Sequence, residues 1–231
     1  MYPVVKSKKY FFLNERSAWT SAFIGNVITV PLAIFLKNQK FITPNAISII
    51  GGIVFFIAAI VYLFYPNHTL LCSAGFFLSY LLDSTDGKLA RIRGIKSKSG
   101  ALLDSSIDLI CHSFGLLIVG FAISKHSNSF VPIIIMFPYI MFLTYAHIRN
   151  IKSTLKKNKK QIKKELIPNS KWQKFCWQQG LINHPYSDWE VIYICILIIS
   201  INLQDPILFL FVSIYINLFI KIYISFKRRF L

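Results

Sequence analysis

The sequence predicts an all-α integral membrane protein, in which six transmembrane helices follow an interfacial amphipathic helix within a single domain, residues 1–231. The composition supports this prediction, because 55% of the residues are hydrophobic and only 15% are charged, a balance typical of polytopic membrane proteins. The apolar residues also gather into stretches of about 20, the length that a helix needs to cross a bilayer.

Residues 17–36 come first and mix apolar side chains with Ser, Thr and Asn. Their moderate hydrophobicity, together with Trp19 and the basic flank at Lys37 and Lys40, favours a helix that lies along the membrane surface over a seventh span.

Six longer apolar stretches follow, and they form the predicted bundle of residues 44–226. A spanning helix tolerates polar residues where it faces other helices or a cavity. The predicted spans are Pro44–Tyr65, Thr69–Ile92, Ser99–Ser124, Ser129–Ile148, Asp188–Leu203 and Pro206–Phe226.

The basic residues of the loops and termini indicate the orientation of this bundle. With six spans, all of them fall on one side of the membrane except Lys125. Cytoplasmic loops carry the excess of Lys and Arg, so we expect both termini and the loop between the second and third spans to face the cytoplasm. The net charge of +17 is then explained by anionic lipid headgroups, and we expect no nucleic-acid partner.

Four of the nine acidic residues lie close together between two apolar stretches: Asp83, Asp86, Asp104 and Asp108. Residues three or four apart share one face of a helix, so each pair presents two carboxylates together. The second span ends where the third begins, and an antiparallel hairpin would bring the two pairs into one place. Four such carboxylates repel one another unless cations intervene.

Oxygen ligands without Cys or His favour the hard cations Mg²⁺ or Mn²⁺. Mg²⁺ usually completes its shell with water and phosphate oxygens, so the cluster predicts a phosphate or pyrophosphate substrate. The residues around the aspartates fit such a ligand. Gly87 would let a bulky ligand approach the helix, Gly100 would let the two helices pack closely, and Ala90 keeps the same face clear. Arg91 and Lys88 can supply charge to a phosphate or fix a carboxylate in place. Helix capping or pairing with nearby basic residues explains one or two of the carboxylates, but not four of them with both glycines at these offsets.

This segment reads DxxDGxxAR, eight intervening residues, then GxxxDxxxD, and it resembles the signature of the CDP-alcohol phosphatidyltransferase family at every fixed position. The six spans, the interfacial helix and the segment Thr43-Pro44-Asn45 with Ser48 are also similar to that family. The resemblance implies a membrane enzyme of phospholipid biosynthesis that transfers a phosphatidyl or phospho-alcohol group from a CDP-linked donor to an alcohol and releases CMP.

The resemblance also implies roles for individual residues. The four aspartates would bind two Mg²⁺ or Mn²⁺ ions, and Asp108 would in addition deprotonate the acceptor hydroxyl. Dimerisation is expected from the resemblance alone. The CDP donor would contact Gly87, Ala90, Arg91, Asn45, Ser48 and Gly100.

The acceptor is less well defined. The sequence LDSSIDL (residues 103–109) lacks the Pro and Lys of the LDPxADK sequence that is typical of phosphatidylglycerophosphate and cardiolipin synthases. An inositol phosphate would need added cationic groups, which His147, Arg149 and Lys152 could supply, although the positive-inside rule explains these residues as well. His112 is interpreted as a buried core residue, with assistance to Asp108 as the alternative.

Two other functions stay open at this point. One is a CDP-choline or CDP-ethanolamine donor with diacylglycerol as the acceptor. The other is a divalent-cation transporter, although its site should lie near the membrane midplane, whereas these aspartates lie near the cytoplasmic ends of their helices. We therefore predict a CDP-alcohol phosphotransferase that uses CDP-diacylglycerol.

Overall fold

The structure is a computed structural model that describes residues 25–95, 97–156, 215, 216 and 219. Within this part of the chain all regular structure is helical, which confirms the predicted fold class at that level. The helices are α1 (Asn26–Leu36), α2 (Pro44–Phe64), α3 (Thr69–Ile92), α4 (Lys98–Ile110), α5 (Leu116–His126) and α6 (Val131–Lys156). A 3₁₀ turn at Pro66–His68 precedes α3, and a π turn at Cys111–Gly115 joins α4 to α5.

Local signals in the sequence explain where these helices start and stop. Thr43 caps α2, because its hydroxyl accepts a hydrogen bond from the Ala46 N–H at 3.1 Å and Pro44 follows at the first helical position. Ser97 caps α4 in the same way, with a 2.9 Å bond from the Gly100 N–H. Gly94, at a φ of 67°, ends α3 in the left-handed conformation that terminates many helices.

Three of the described helices are long and apolar enough to cross a membrane: Pro44–Phe64, the continuous helix Lys98–His126, and Val131–Lys156. These three correspond to the first, third and fourth predicted spans. Helix α3 has the predicted bounds and 24 residues, which is long enough to span, but its last turns carry several charges. The spans predicted at Asp188–Leu203 and Pro206–Phe226 and the first part of the 17–36 helix lie outside the described residues, apart from residues 215, 216 and 219.

Helix α2 lies against α3, α4 and α5 and so occupies the centre of the described bundle. Small residues allow the close approach. A Cβ atom on Gly75 would come within 2.9 Å of the Ala58 Cβ, and one on Gly52 within 2.9 Å of Ile107. Packing through small residues is how helices associate in a bilayer, where lipid tails are as apolar as the side chains. This packing places the start of α2 beside the end of α3.

Candidate metal centre

Three carboxylates from two helices meet at the α3–α4 hairpin. Asp83 and Asp86 lie three residues apart on α3, and Asp104 lies on α4. One oxygen atom from each of the three falls within 4.8 Å of the others. Asp86 is buried, and the other two are partly buried.

This group fits a divalent cation. Three carboxylates so close together repel one another, and burial weakens the solvation that would otherwise offset the repulsion. All three ligand atoms are oxygen, the donor type that Mg²⁺, Mn²⁺ and Ca²⁺ prefer. The cluster could therefore hold a metal ion, as the spacing of the aspartates predicts.

Asp108 lies outside this group of three. It is partly buried on α4, one turn further from the α3–α4 loop than Asp104. It is close enough to Asp83 for the two charges to act on each other. The fourth carboxylate thus borders the centre on the side away from the α3–α4 loop.

Ser48 connects the start of α2 to the centre. It is 7% exposed, and its hydroxyl lies within hydrogen-bonding reach of the Asp86 carboxylate and of the Pro44 carbonyl, the latter at 3.2 Å. A hydroxyl has one hydrogen to donate, and a carboxylate is the stronger acceptor. The bond to Asp86 therefore dominates and fixes the orientation of that carboxylate.

Three more residues predicted for the donor pocket, Gly87, Ala90 and Arg91, lie in the last turns of α3. A Cβ atom on Gly87 would lie 3.5 Å from the nearest guanidinium nitrogen of Arg91, so the Arg91 side chain extends over Gly87. The positive charge of Arg91 acts on both Asp86 and Asp104. Ala90, also in the last turns of α3, is partly buried.

Gly100 and Asn45 bring α4 and α2 together. A Cβ atom on Gly100 would lie 3.4 Å from the Asn45 side-chain oxygen. Gly100 therefore leaves room for Asn45 beside the first turn of α4, whereas the sequence suggested that its purpose is close packing of α3 and α4.

Lys88 is buried beside the aspartates of α3. The sequence suggested that it supplies charge to a phosphate or fixes a carboxylate, and its side chain is 4% exposed. Its ammonium group donates to the Ser84 hydroxyl at 2.6 Å and to the Ser84 carbonyl at 3.0 Å. The Lys88 ammonium group is thus held against its own helix, α3.

The three residues predicted for the acceptor do not share one environment. His147 Nε2 lies 2.9 Å from His112 Nδ1, which links α6 to the π turn. His112 is 1% exposed, as expected of a core residue, and the sequence did not predict its histidine partner. Arg149 and Lys152 lie on the exposed side of α6.

The π turn itself had no sequence signal. Such turns often mark functional sites, and this one begins three residues after Asp108. The wide turn directs His112 toward α6.

Fold and site together define a helical membrane protein whose carboxylate centre suits a divalent cation. The chain belongs to the CDP-alcohol phosphatidyltransferase family, because the sequence model of that family matches residues 41–223, which include all four aspartates. This match confirms the resemblance that the motif indicated.

A curated relative is similar over a shorter region. The archaetidylinositol phosphate synthase of Pyrococcus horikoshii is 38% identical over 82 residues, which make up 34% of this chain and 43% of that protein. The chain therefore matches less than half the length of this relative.

Proposed function

We propose that the protein is a Mg²⁺- or Mn²⁺-dependent CDP-alcohol phosphotransferase that moves a phosphatidyl group from CDP-diacylglycerol to an alcohol acceptor and releases CMP. The observation that carries this proposal is the group of three carboxylates within 4.8 Å, in a chain that belongs to this family. The activity is a step of phospholipid biosynthesis.

Asp83, Asp86 and Asp104 would hold the metal, with Asp108 completing the set for two ions. When bound, the divalent ions neutralise charge on the pyrophosphate of the donor and on the departing CMP. Ser48 orients Asp86 for this role through the hydrogen bond between them.

Asp108 would act as the general base. Its carboxylate accepts the proton of the acceptor hydroxyl, whose oxygen bonds to the phosphorus that carries the lipid. The bond between that phosphorus and the bridging oxygen breaks, and CMP leaves with this oxygen. Catalysis in such a transfer depends mainly on positioning, which the packed ends of α2, α3 and α4 supply.

The donor would lie against Gly87, Ala90 and Arg91 on one side and Asn45, Ser48 and Gly100 on the other. The position of the Arg91 guanidinium over Gly87 supports a contact with a phosphate oxygen, for which arginine has suitable geometry. The absence of a side chain at Gly87 leaves the room that the Arg91 guanidinium occupies beside the α3 backbone.

For the acceptor we propose an inositol phosphate. The name of the archaeal relative supports this choice, and Arg149 and Lys152 on the exposed side of α6 offer positive charge. His147, which contacts His112, is the third residue proposed to bind the acceptor.

The rest of the architecture is proposed on the same basis. Helix α3 together with the three candidate spans makes four crossings, and the stretches at 188–203 and 206–226 would make six within one domain. Helix α1 would lie along the interface, both termini and the carboxylate centre would face the cytoplasm, and two copies would form a homodimer.

The test is CMP release by the purified protein with Mg²⁺ or Mn²⁺. CDP-diacylglycerol is supplied with inositol phosphate, inositol, serine, glycerol 3-phosphate or no acceptor. We expect release that depends on inositol phosphate and stops with EDTA, and dependence on another acceptor would revise only the acceptor.

A second arm tests the reversed donor. Release only from CDP-choline or CDP-ethanolamine with diacylglycerol would move the lipid to the acceptor. A protein that binds Mn²⁺ but releases no CMP in either arm would contradict the enzyme and favour a transport site.

A further inference from the structure

Arg93 stands at the end of α3, yet its side chain reaches a distant part of the chain. The guanidinium donates to four backbone carbonyls between α1 and α2. The acceptors are the carbonyls of Leu36 at 2.6 Å, Lys37 at 3.1 Å, Gln39 at 2.7 Å and Ile42 at 2.6 Å. A guanidinium has five N–H groups, so these bonds use most of its capacity.

The acceptors belong to the end of one helix and the approach to the next. Leu36 closes α1, and the last carbonyls of a helix have no partner within it and carry its negative dipole end. Ile42 immediately precedes Thr43, the cap of α2. One cation at the end of α3 therefore joins the end of α1 to the start of α2.

The start of α2 and the end of α3, which Arg93 holds together through residues 36–42, also form the two sides of the proposed donor pocket. The first turns of α2 carry Asn45 and Ser48, and Ser48 bonds to Asp86. The last turns of α3 carry Gly87 and Arg91. Residues 36–42 lead directly into the first turn of α2, so their attachment to α3 acts on the separation of these two sides together with the packing of α2 on α3.

We propose that Arg93 is a positioning residue for the nucleotide donor: it fastens residues 36–42 to the end of α3 and so sets the distance between the two sides of the pocket. Its consequence for catalysis rests on the proposed function. A basic residue that served only the positive-inside bias would direct its charge to water or lipid headgroups, whereas Arg93 directs four N–H groups to backbone. Lysine has only three donors on a compact ammonium group and cannot reproduce this fork.

The first experiment needs no enzymatic activity. Lys37 and Lys40 are exposed and lie in the fastened segment, so trypsin reports on its release. In lipid nanodiscs we expect cleavage after these lysines to be at least about tenfold faster in Arg93→Gln, because the uncharged amide cannot reproduce the four bonds, and intermediate in Arg93→Lys. Cleavage at the wild-type rate in a folded Arg93→Gln protein would overturn the proposal.

The second experiment measures the effect on catalysis. We expect Arg93→Gln to raise KM for the CDP-linked donor by about tenfold, while kcat and KM for the acceptor stay within about twofold. Arg93→Lys should recover part of the loss. Lys40→Gln is the matched control, because it also removes one positive charge, but from an exposed side chain within residues 36–42. It should behave as wild type.

The two readouts separate the possible failures. If Arg93→Gln lowers kcat and leaves the donor KM unchanged, Arg93 does not position the donor. If the wild-type protein releases no CMP, the proposed function fails, and the trypsin result still decides whether Arg93 fastens the segment.

Discussion

At the scale of single residues, the four aspartates of the motif differ in their position relative to the candidate metal centre. Asp83, Asp86 and Asp104 converge within 4.8 Å, whereas Asp108 borders the group from one turn away. Asp83 and Asp86 lie three residues apart on one face of α3 and both meet Asp104, whereas Asp108 lies one helical turn beyond Asp104 on α4.

Asp108→Asn tests whether Asp108, which lies outside the group of three, acts as the general base. The amide keeps the size of the carboxylate but cannot accept the proton, so we expect kcat for CMP release to fall by about 10²–10⁴-fold, the usual contribution of a general base. Binding of CDP and of one Mn²⁺ ion, measured by calorimetry and electron paramagnetic resonance, should stay close to wild type, because Asp83, Asp86 and Asp104 are unchanged. Normal turnover in this variant would remove Asp108 from the role of base.

Ser48 and Asp86 are expected to give graded effects on metal binding. Asp86→Ala removes a ligand and should abolish metal-supported CDP binding. Ser48→Ala removes only the group that orients the ligand, and such losses usually cost about 10–100-fold in metal affinity. A Mn²⁺ titration followed by electron paramagnetic resonance measures both.

Ser48→Thr is the control for this pair, because it keeps the hydroxyl and should retain most of the affinity. An affinity for Mn²⁺ that is the same in Ser48→Ala and wild type would contradict the orienting role.

At the scale of helices, the sequence predicted most accurately those boundaries that have a local chemical cause. The start of α2 is set by Thr43 and Pro44, and the end of α3 by the turn at Gly94. Helix α6 runs to Lys156 instead of Ile148, because the basic residues that follow its apolar part are good helix formers and no Gly or Pro interrupts them. The π turn at Cys111–Gly115 depends on tertiary packing and has no local signal.

The close packing of α2 on α3 leads to a prediction about stability. Gly75→Ala would place a Cβ atom 2.9 Å from that of Ala58, and overpacking of this kind costs about 1–3 kcal/mol. We therefore expect a lower thermal unfolding temperature in detergent. Ala58→Gly in the same protein frees the space and should recover most of the loss.

Ile57→Ala serves as the control for Gly75→Ala. Ile57 is on the same helix as Ala58, but it is 55% exposed on a surface that would face lipid, so its truncation should change the unfolding temperature little. A Gly75→Ala protein as stable as wild type would mean that the two helices do not pack as closely as described.

At the scale of the whole molecule, the site was predictable to the extent that it is local in sequence. The aspartates lie on two consecutive helices, so their spacing and the hairpin were enough to predict the cluster. The bond from Ser48 to Asp86 spans 38 residues, and those from Arg93 span 51 to 57. Contacts at such separations depend on which helices become neighbours, which composition and periodicity do not determine.

The structure also indicates which helix ends share a membrane face. The Lys98 ammonium donates to the Leu155 carbonyl at 2.7 Å, so the start of α4 lies beside the end of α6. The carboxylate centre is near that end of α4. Lys125 belongs to the far end of the continuous helix Lys98–His126 and should face the opposite side of the membrane.

Labelling of single cysteines tests this arrangement together with the predicted orientation. Lys125→Cys and Lys156→Cys are made separately in a background in which Cys72, Cys111, Cys176 and Cys195 are replaced by alanine. In intact bacterial cells a membrane-impermeant maleimide should label position 125 and reach position 156 only after permeabilisation, because basic loops stay in the cytoplasm. The reverse pattern would place the carboxylate centre outside, and labelling of both positions from one side would mean that α6 does not cross the membrane.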